Sequence, residues 1–484
     1  MSDRTVKVSV MGVVGLLAVI EFTSGVLQGY YTPLLTDIAR NLDIHDADVN
    51  WFEGAQLMVS ALVIPAFAKL GDMVGHRRML LISTGITAVA GLAVAVAPNF
   101  LSFLIAWSLQ GFYVVWLPLE IALIFSYTRG LPNAAALTRR AAALLVAALE
   151  FGAIAGALGA GALGEQLPLG VVLLVPAIVV VGCFFVILFG VKEGPVQTGG
   201  KLDTRGLVIL SLSLVAVTGG LSFLRLNGVG DPLAWSLIAL GAALLVPFVL
   251  VELRLPDPLI DIRMLAKPEM WPVQLTAGLF GMSVLGAQGP LSTFARTDEA
   301  TYGYGLSAGS GLASILIGSY VLSLAVGALL FPVVAKLINP RRTLIAASLL
   351  VSLGYAMLIP LHGTVAEVLA SLIVAGTGSG ALVAALPSAA ASVAPFGQTG
   401  VATGLTNTTK TVGGAIASCI FGLALFSGAP TGDDATAGSL SGYIIVWSVC
   451  AGSALLSAIA LLVVPKQAFR DAQEITPAEV GVLR

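Results

Sequence analysis

The chain has 484 residues with 24 Lys and Arg against 26 Asp and Glu, a formal charge of -2, so it lacks the basic excess that nucleic-acid binding requires. Hydrophobic residues make up 57% and charged residues 10%, with mean hydropathy +0.97, too apolar for a surface that must hold water. The composition predicts an all-α integral membrane protein lodged in a lipid bilayer, with no nucleic-acid partner.

Taken in chain order, runs long enough to cross a bilayer, about 20 apolar residues each, number fourteen: 8–35, 49–70, 77–98, 100–127, 137–164, 168–191, 205–225, 232–254, 270–295, 307–336, 341–361, 364–394, 399–427 and 438–465. MSDRTVKVSV opens on no short apolar region with a cleavage site, so the first span is expected to be retained. With the N-terminus inside, twenty of the 24 basic residues fall on the cytoplasmic side; only Arg40, Arg225 and Arg296 fall outside, and Lys410 lies within a span. This asymmetry predicts that both termini are cytoplasmic. The longest connections, KEGPVQTGGKLDTRG from Lys192 and RLPDPLIDIRMLAKPE from Arg254, flank spans seven and eight. The expected plan is a six-helix bundle over 1–194, an inserted pair over 195–256, a second six-helix bundle over 257–468 and a cytoplasmic tail over 469–484. Two repeated halves point towards a transporter.

Few residues carry chemistry of the enzymatic kind. Cys183, Cys419 and Cys450 sit singly in apolar runs, and His45, His76 and His362 lie on different connections, so neither a metal site nor a hydrolytic triad is expected. GAGALG at 159–164 fits the dinucleotide pattern GxGxxG but lies inside an apolar helix and follows no strand, which marks helix packing. No ATP-binding motif, cofactor or enzymatic activity is expected.

The intramembrane charges stand out instead, because an acid at a helix centre costs about 2.5 to 3.5 kcal/mol on insertion scales. Glu21 shares a face of span one with Ser24, Gly25, Gln28 and Thr32, a stripe expected to face a cavity, with Gln28 and Tyr31 as ligand contacts. In span four, Gln110, Tyr113, Leu117 and Glu120 form one face with Trp116 at its edge and Trp107 turned away. Amide and aromatic groups beside an acid suit an amphipathic or cationic ligand; the alternative has Glu120 reaching water or pairing with Arg129. In span five, Gly152, Gly156 and Gly159 make a packing stripe. Glu150 points nearly opposite, with Ala143, Ala147, Ile154 and Ala157, towards the cavity or another helix. A carboxyl that is neutral when occluded and ionised when wetted can couple proton entry to a conformational change, so Glu150, Glu21 and Glu120 are the proton-coupling candidates. Lys410 shares a face of span thirteen with Thr403, Thr406, Asn407 and Gly414. Counter-ion, anion ligand and inward snorkelling all remain open for it, and Asn407 and Lys410 join the ligand-contact candidates.

AKLGDMVGHRRML at 68–80 resembles the loop between spans two and three of the major facilitator superfamily, with Asp72, Gly75, Arg77 and Arg78 in matching places and Ala68 where a glycine is usual. Trp51, SLQG at 108–111, PLIDIRML at 258–265, GTGSG at 376–380 and GVATGLTNTTKTVGGA at 400–415 are similar to their counterparts in the fourteen-helix drug:proton antiporter branch. Two places depart from that branch: Trp107 stands where an arginine is usual, and Gly156 is followed by Ala157 rather than proline. The resemblance implies two six-helix bundles around a central cavity, rocking to give alternating access, with Asp72, Gly75, Arg77 and Arg78 as a cytoplasmic gate loop. It implies a multi-pass protein of the bacterial cell (inner) membrane, working as a monomer, that exchanges protons for a small organic substrate and exports an amphipathic compound or drug. The departures keep a proton-coupled importer or a dedicated metabolite exporter as the alternative, and a non-transporting membrane sensor as a remoter one.

Overall fold

A computed structural model describes residues 3–128, 134–194, 203–256, 258–393, 399–429 and 436–463. Arg129, Lys201, Lys466, Arg470, Arg484 and the tail 469–484 lie outside the described residues. The described residues are helical with no strand. This is the outcome forced on a chain whose backbone polar groups must be satisfied inside hydrocarbon.

The helices run α1 (Asp3–Tyr30), α2 (Leu35–Asn41), α3 (Val49–Val74), α4 (His76–Val96), α5 (Phe100–Gln110), α6 (Trp116–Thr128), α7 (Ala134–Gly164) and α8 (Leu169–Gly190). The pair α9 (Thr204–Asn227) and α10 (Pro232–Glu252) follows, then the short α11 (Ile262–Leu265), α12 (Trp271–Val284), α13 (Gln288–Arg296) and the short α14 (Glu299–Tyr302). Last come α15 (Ser310–Ile338), α16 (Pro340–Leu358), α17 (Val365–Val393), α18 (Thr399–Phe426) and α19 (Leu440–Val463). Thirteen candidate spans are long and apolar enough to cross a membrane among the described residues. The remaining expected span, 270–295, is split: α12 and α13 are separated by Leu285, Gly286 and Ala287.

A second break interrupts span four, where Gly111–Val115 forms a 3-10 turn between α5 and α6. Its cause is a close approach, because the Ser60 hydroxyl donates to the Gly111 carbonyl at 2.9 Å and a Cβ on Gly111 would sit 2.5 Å from the Gln56 carbonyl oxygen. Glycine is the one residue that lets α3 in this far.

Packing repeats itself along the chain. In the first set of six, α1 lies on α7, α3 on α5 and α4 on α8; in the last set, α12 lies on α18, α15 on α17 and α16 on α19. First meets fifth, second meets fourth and third meets sixth in both. The first-to-fifth contacts use glycine in both halves: a Cβ on Gly152 would lie 2.0 Å from the Phe22 carbonyl oxygen, and one on Gly281 would lie 2.0 Å from that of Lys410. Backbones this close gain dispersion contact that lipid cannot supply. The two sets each enclose a main hydrophobic core. They meet along two seams, α3 against α18 and α7 against α15. The pair α9 and α10 packs on itself and caps the α3–α18 seam, with Leu210, Leu214 and Phe248 closing over Leu57, Ala61 and Ala415.

Candidate functional site

At the end that the basic residues mark as external, the two sets are tied together by polar contacts. The Arg296 guanidinium donates to Asp37, the Ser292 hydroxyl donates to the Thr32 carbonyl, and the Gly311 N–H donates to Glu165 Oε1 at 3.0 Å. Immediately beneath lies a cavity of about 50 Å³. Gln28, Tyr31 and Tyr113 line it, together with Trp107, which the helical wheel turned away from the Tyr113 face, and Glu53, Gln56, Leu285 and Gln288, which composition and pattern alone did not single out. Both helix breaks open onto it, Tyr113 from the 3-10 turn and Leu285 and Gln288 from the edges of the α12–α13 gap. Broken helices are tolerated at membrane depth where they line a cavity, and there they present backbone and side-chain polar groups.

The ring of Trp107 meets that of Tyr31 edge-on at 4.8 Å and stacks on Phe103 at 5.6 Å. Trp107 thus supplies an aromatic wall to the cavity. Gln110 is buried beside the Tyr31 hydroxyl, behind the cavity lining. Trp116, expected among the ligand contacts, is instead fully buried and donates its indole N–H to Ser83 Oγ at 3.1 Å, inside the first set of helices.

The charged candidates divide between two places. Glu21 on α1 and Glu120 on α6 are both fully buried, and their carboxyls lie close to each other. None of their four oxygens has a hydrogen-bond partner among the described residues. Two like charges in a dry contact cannot both be ionised. Thr23 and Cys183 stand by this pair, and Tyr113 stands between it and the cavity, within electrostatic reach of both Glu21 and Glu53. The stripe on α1 therefore fans out: Glu21 turns to α6, Gly25 packs against the Leu149 backbone of α7, and Gln28 and Thr32 reach the cavity.

Glu150 on α7 looks the other way, across the interface of the two sets. It lies within electrostatic range of Lys410 on α18, with no ion pair between them among the described residues, and near Tyr320 of α15. Lys410 is half-buried with Glu150 as its opposing charge, and Asn407 is half-buried one turn earlier, outside the cavity lining. Of the glycine stripe, Gly152 and Gly156 press on α1, whereas a Cβ on Gly159 would meet nothing within 4 Å. Gly161 takes the next close contact instead, against Ser314 of α15.

The loop at 68–80 is a tight internal lock. Gly75 adopts φ +115, a left-handed conformation that favours glycine, and a Cβ there would lie 2.5 Å from Glu193 Oε2. The Glu193 carboxylate accepts the backbone N–H groups of Arg77 and Arg78 at 3.1 and 3.2 Å, capping the start of α4. The Arg77 guanidinium donates to the carbonyls of Val191 and Leu188, each at 2.7 Å, at the end of α8. Asp72 contacts His76 at 3.1 Å, one turn on, and the Arg78 side chain is exposed.

The family model described as Major Facilitator Superfamily matches residues 17–418. The chain belongs to that superfamily. It is 27% identical to the puromycin resistance protein of Streptomyces alboniger, over 93% of this chain and 90% of that one. It is also 27% identical to the cephamycin export protein of Amycolatopsis lactamdurans, over 81% of this chain and 79% of that one. Its fold is that of a solved nucleoside transporter, NupG, with TM-score 0.64, 15% identity and coverage of 93% of this chain and 99% of that one. A facilitator fold places the paired seams, the cavity and the interface between the two sets in one multi-pass membrane protein that handles a small organic molecule.

Proposed function

We propose that this facilitator is a proton-coupled secondary transporter of the bacterial cell membrane that exports an amphipathic organic compound by alternating access. The observation that carries this reading is the opposition of Glu150 and Lys410 across the interface of the two sets. Protonating Glu150 removes the counter-charge of Lys410, so proton binding alters the attraction between the very parts that must separate. The Glu21–Glu120 pair supplies a second proton site, lodged within the first set. Two relatives named for puromycin resistance and cephamycin export favour export of a drug-like molecule. The cavity is lined by residues of one chain, which supports a monomer as the working unit, with six helices, an inserted pair and six more, and both termini on the cytoplasmic side.

The driving force is adequate: one elementary charge moving through 100 mV yields about 2.3 kcal/mol, which sustains roughly a 50-fold gradient. In inverted membrane vesicles, uptake of a fluorescent amphiphile is expected to collapse with an uncoupler. Glu150→Gln and Glu21→Gln are each expected to abolish uptake driven by the proton gradient. Uptake that survives in both variants, or accumulation of substrate by whole cells, would overturn the reading.

A further inference from the structure

Glu53 belongs to neither proton site, and its surroundings are unlike theirs. It lies on α3, is 8% exposed, and belongs to the cavity lining. Its carboxyl is within reach of the Gly289 backbone N–H on α13, while Oε2 has no hydrogen-bond partner among the described residues. A buried acceptor without a donor costs about 1 to 3 kcal/mol, more when charged, so something entering the cavity is rewarded for supplying one.

The rest of the lining carries the amides of Gln28, Gln56 and Gln288, the unpartnered Trp107 indole N–H and Tyr31 hydroxyl, and aromatic faces, and contains no basic side chain. Gln288 donates one N–H of its Nε2 to the Val284 carbonyl at 3.0 Å, leaving its amide oxygen and a second N–H to offer a ligand. Tyr31, Trp107 and Tyr113 add three rings, whose faces attract positive charge. Lys410, the intramembrane cation, is not part of this lining. An anion would meet the Glu53 carboxylate with no cationic side chain to offset it. A neutral alcohol would satisfy Oε2 through a single hydroxyl. A protonated amine satisfies the acceptors and the charge together.

Size narrows the class further. A cavity of about 50 Å³ has room for roughly three to five waters, and so for an ammonium group with its first carbons rather than a whole drug molecule. A primary ammonium brings three N–H donors, whereas a quaternary one brings none and is bulkier.

We infer that Glu53 is the recognition carboxylate for the primary or secondary ammonium group of the transported molecule, whose head docks beneath the outer seal against Trp107 and Tyr31. This rests on the cavity being the site of the transported compound, but it is tested by equilibrium binding, which needs no transport.

The full chain in nanodiscs should bind phenethylamine about tenfold more tightly than phenethyl alcohol or the trimethylated amine, that factor being one charge-assisted hydrogen bond's worth of affinity. Glu53→Gln should lose that preference while binding the alcohol within about twofold of the original. Equal affinity for amine and alcohol in the original protein, or a preference that survives Glu53→Gln, overturns the assignment. Equal loss of both ligands in Glu53→Gln overturns it too, since that is what a purely structural carboxyl would give. A measurement on the unsubstituted protein covers the case in which the variant does not fold. Labelling of Glu53 by a hydrophobic carbodiimide, followed by mass spectrometry, should be slowed by phenethylamine and not by the alcohol, with Glu150 as internal standard. Labelling of Glu53 at the same rate with and without amine refutes it. Amine binding through Glu53 with no movement across liposomes would leave this assignment standing and defeat the transporter reading; proton-driven transport without amine selectivity would do the reverse.

Discussion

Adding one methyl group at Gly152, and separately at Gly159, isolates what the α1–α7 contact contributes. Both residues lie on α7 and share one helical face in sequence terms, but their surroundings differ. An alanine Cβ at 152 would lie 2.0 Å from the Phe22 carbonyl oxygen, 2.9 Å from its carbon and 3.1 Å from the Gly25 Cα. These are backbone atoms, so no side chain can swing aside, and α1 and α7 must part by roughly 1 Å, at an overpacking cost of about 1–3 kcal/mol. At 159 the same methyl meets nothing within 4 Å. Each substitution also gains about 0.8–1 kcal/mol of helix propensity, which cancels when the two variants are compared. Gly159→Ala should therefore be at least as stable as the original chain, and Gly152→Ala about 1–3 kcal/mol less stable than Gly159→Ala. Equilibrium unfolding in mixed detergent micelles, followed by tryptophan fluorescence, reads the difference. Two variants agreeing within about 0.5 kcal/mol, the usual spread of neutral substitutions, would refute the contact.

Arg77→Lys keeps the charge but cannot reach both the Val191 and Leu188 carbonyls as the planar guanidinium does. It should cost about 1–2 kcal/mol in the same unfolding assay, while Arg78→Ala, at an exposed side chain, should be close to neutral. Where the end of α10 meets the start of α9, Glu252 is 2% exposed and its Oε1 faces Asp203 Oδ2, neither with a donor; both lie within 2.3 Å of where a Gly206 Cβ would be. Glu252→Gln supplies a donor to Asp203 and should stabilise the chain by about 0.5–1.5 kcal/mol. Destabilisation at neutral pH would show that the carboxyl pair is held by a proton whose loss the amide does not make good.

The helices were legible because hydrocarbon imposes a length and a composition on each, and those are local properties. The breaks were not. Gly111 carries no proline or turn signal around it, and the 3-10 stretch there arises from the Ser60 hydroxyl pressing on a distant backbone. That break explains the fate of span four's aromatic and acidic face. A 3-10 turn advances about 20° more per residue than an α-helix, so five such residues rotate the remainder of the span by about 100°. Tyr113 stays at the cavity, while Trp116 and Glu120 swing inward to Ser83 and Glu21. Glu53 did carry a local signal, an acid five residues into an apolar run, but it lies near a span end, where an acid can reach water. Its burial comes from α13 crossing over it, a contact between residues more than 200 apart in sequence. Lys410 was ambiguous for the same reason: its face was readable, its opposing Glu150 was not.

On the proposed reading, the two acidic sites differ in what a proton would do to the charge balance, and only Glu150 and Lys410 belong to different halves. At the Glu21–Glu120 pair a single proton would leave one negative charge, enclosed among helices of the first set. Changing it alters how α1 sits on α6 but exerts little force across the interface. Glu150 and Lys410 together are neutral, and they belong to different halves. A proton on Glu150 leaves a half-buried ammonium without its counter-charge, a cost that falls on the contact between halves. Glu150→Gln and Lys410→Met should each lower stability by about 1–2 kcal/mol, because each strands one charge. The double variant, with neither charge, should recover most of that loss while remaining inactive in proton-driven transport. Recovery of stability without recovery of coupling separates an electrostatic link from mere packing; a double variant no more stable than Glu150→Gln alone would mean that the two charges do not interact.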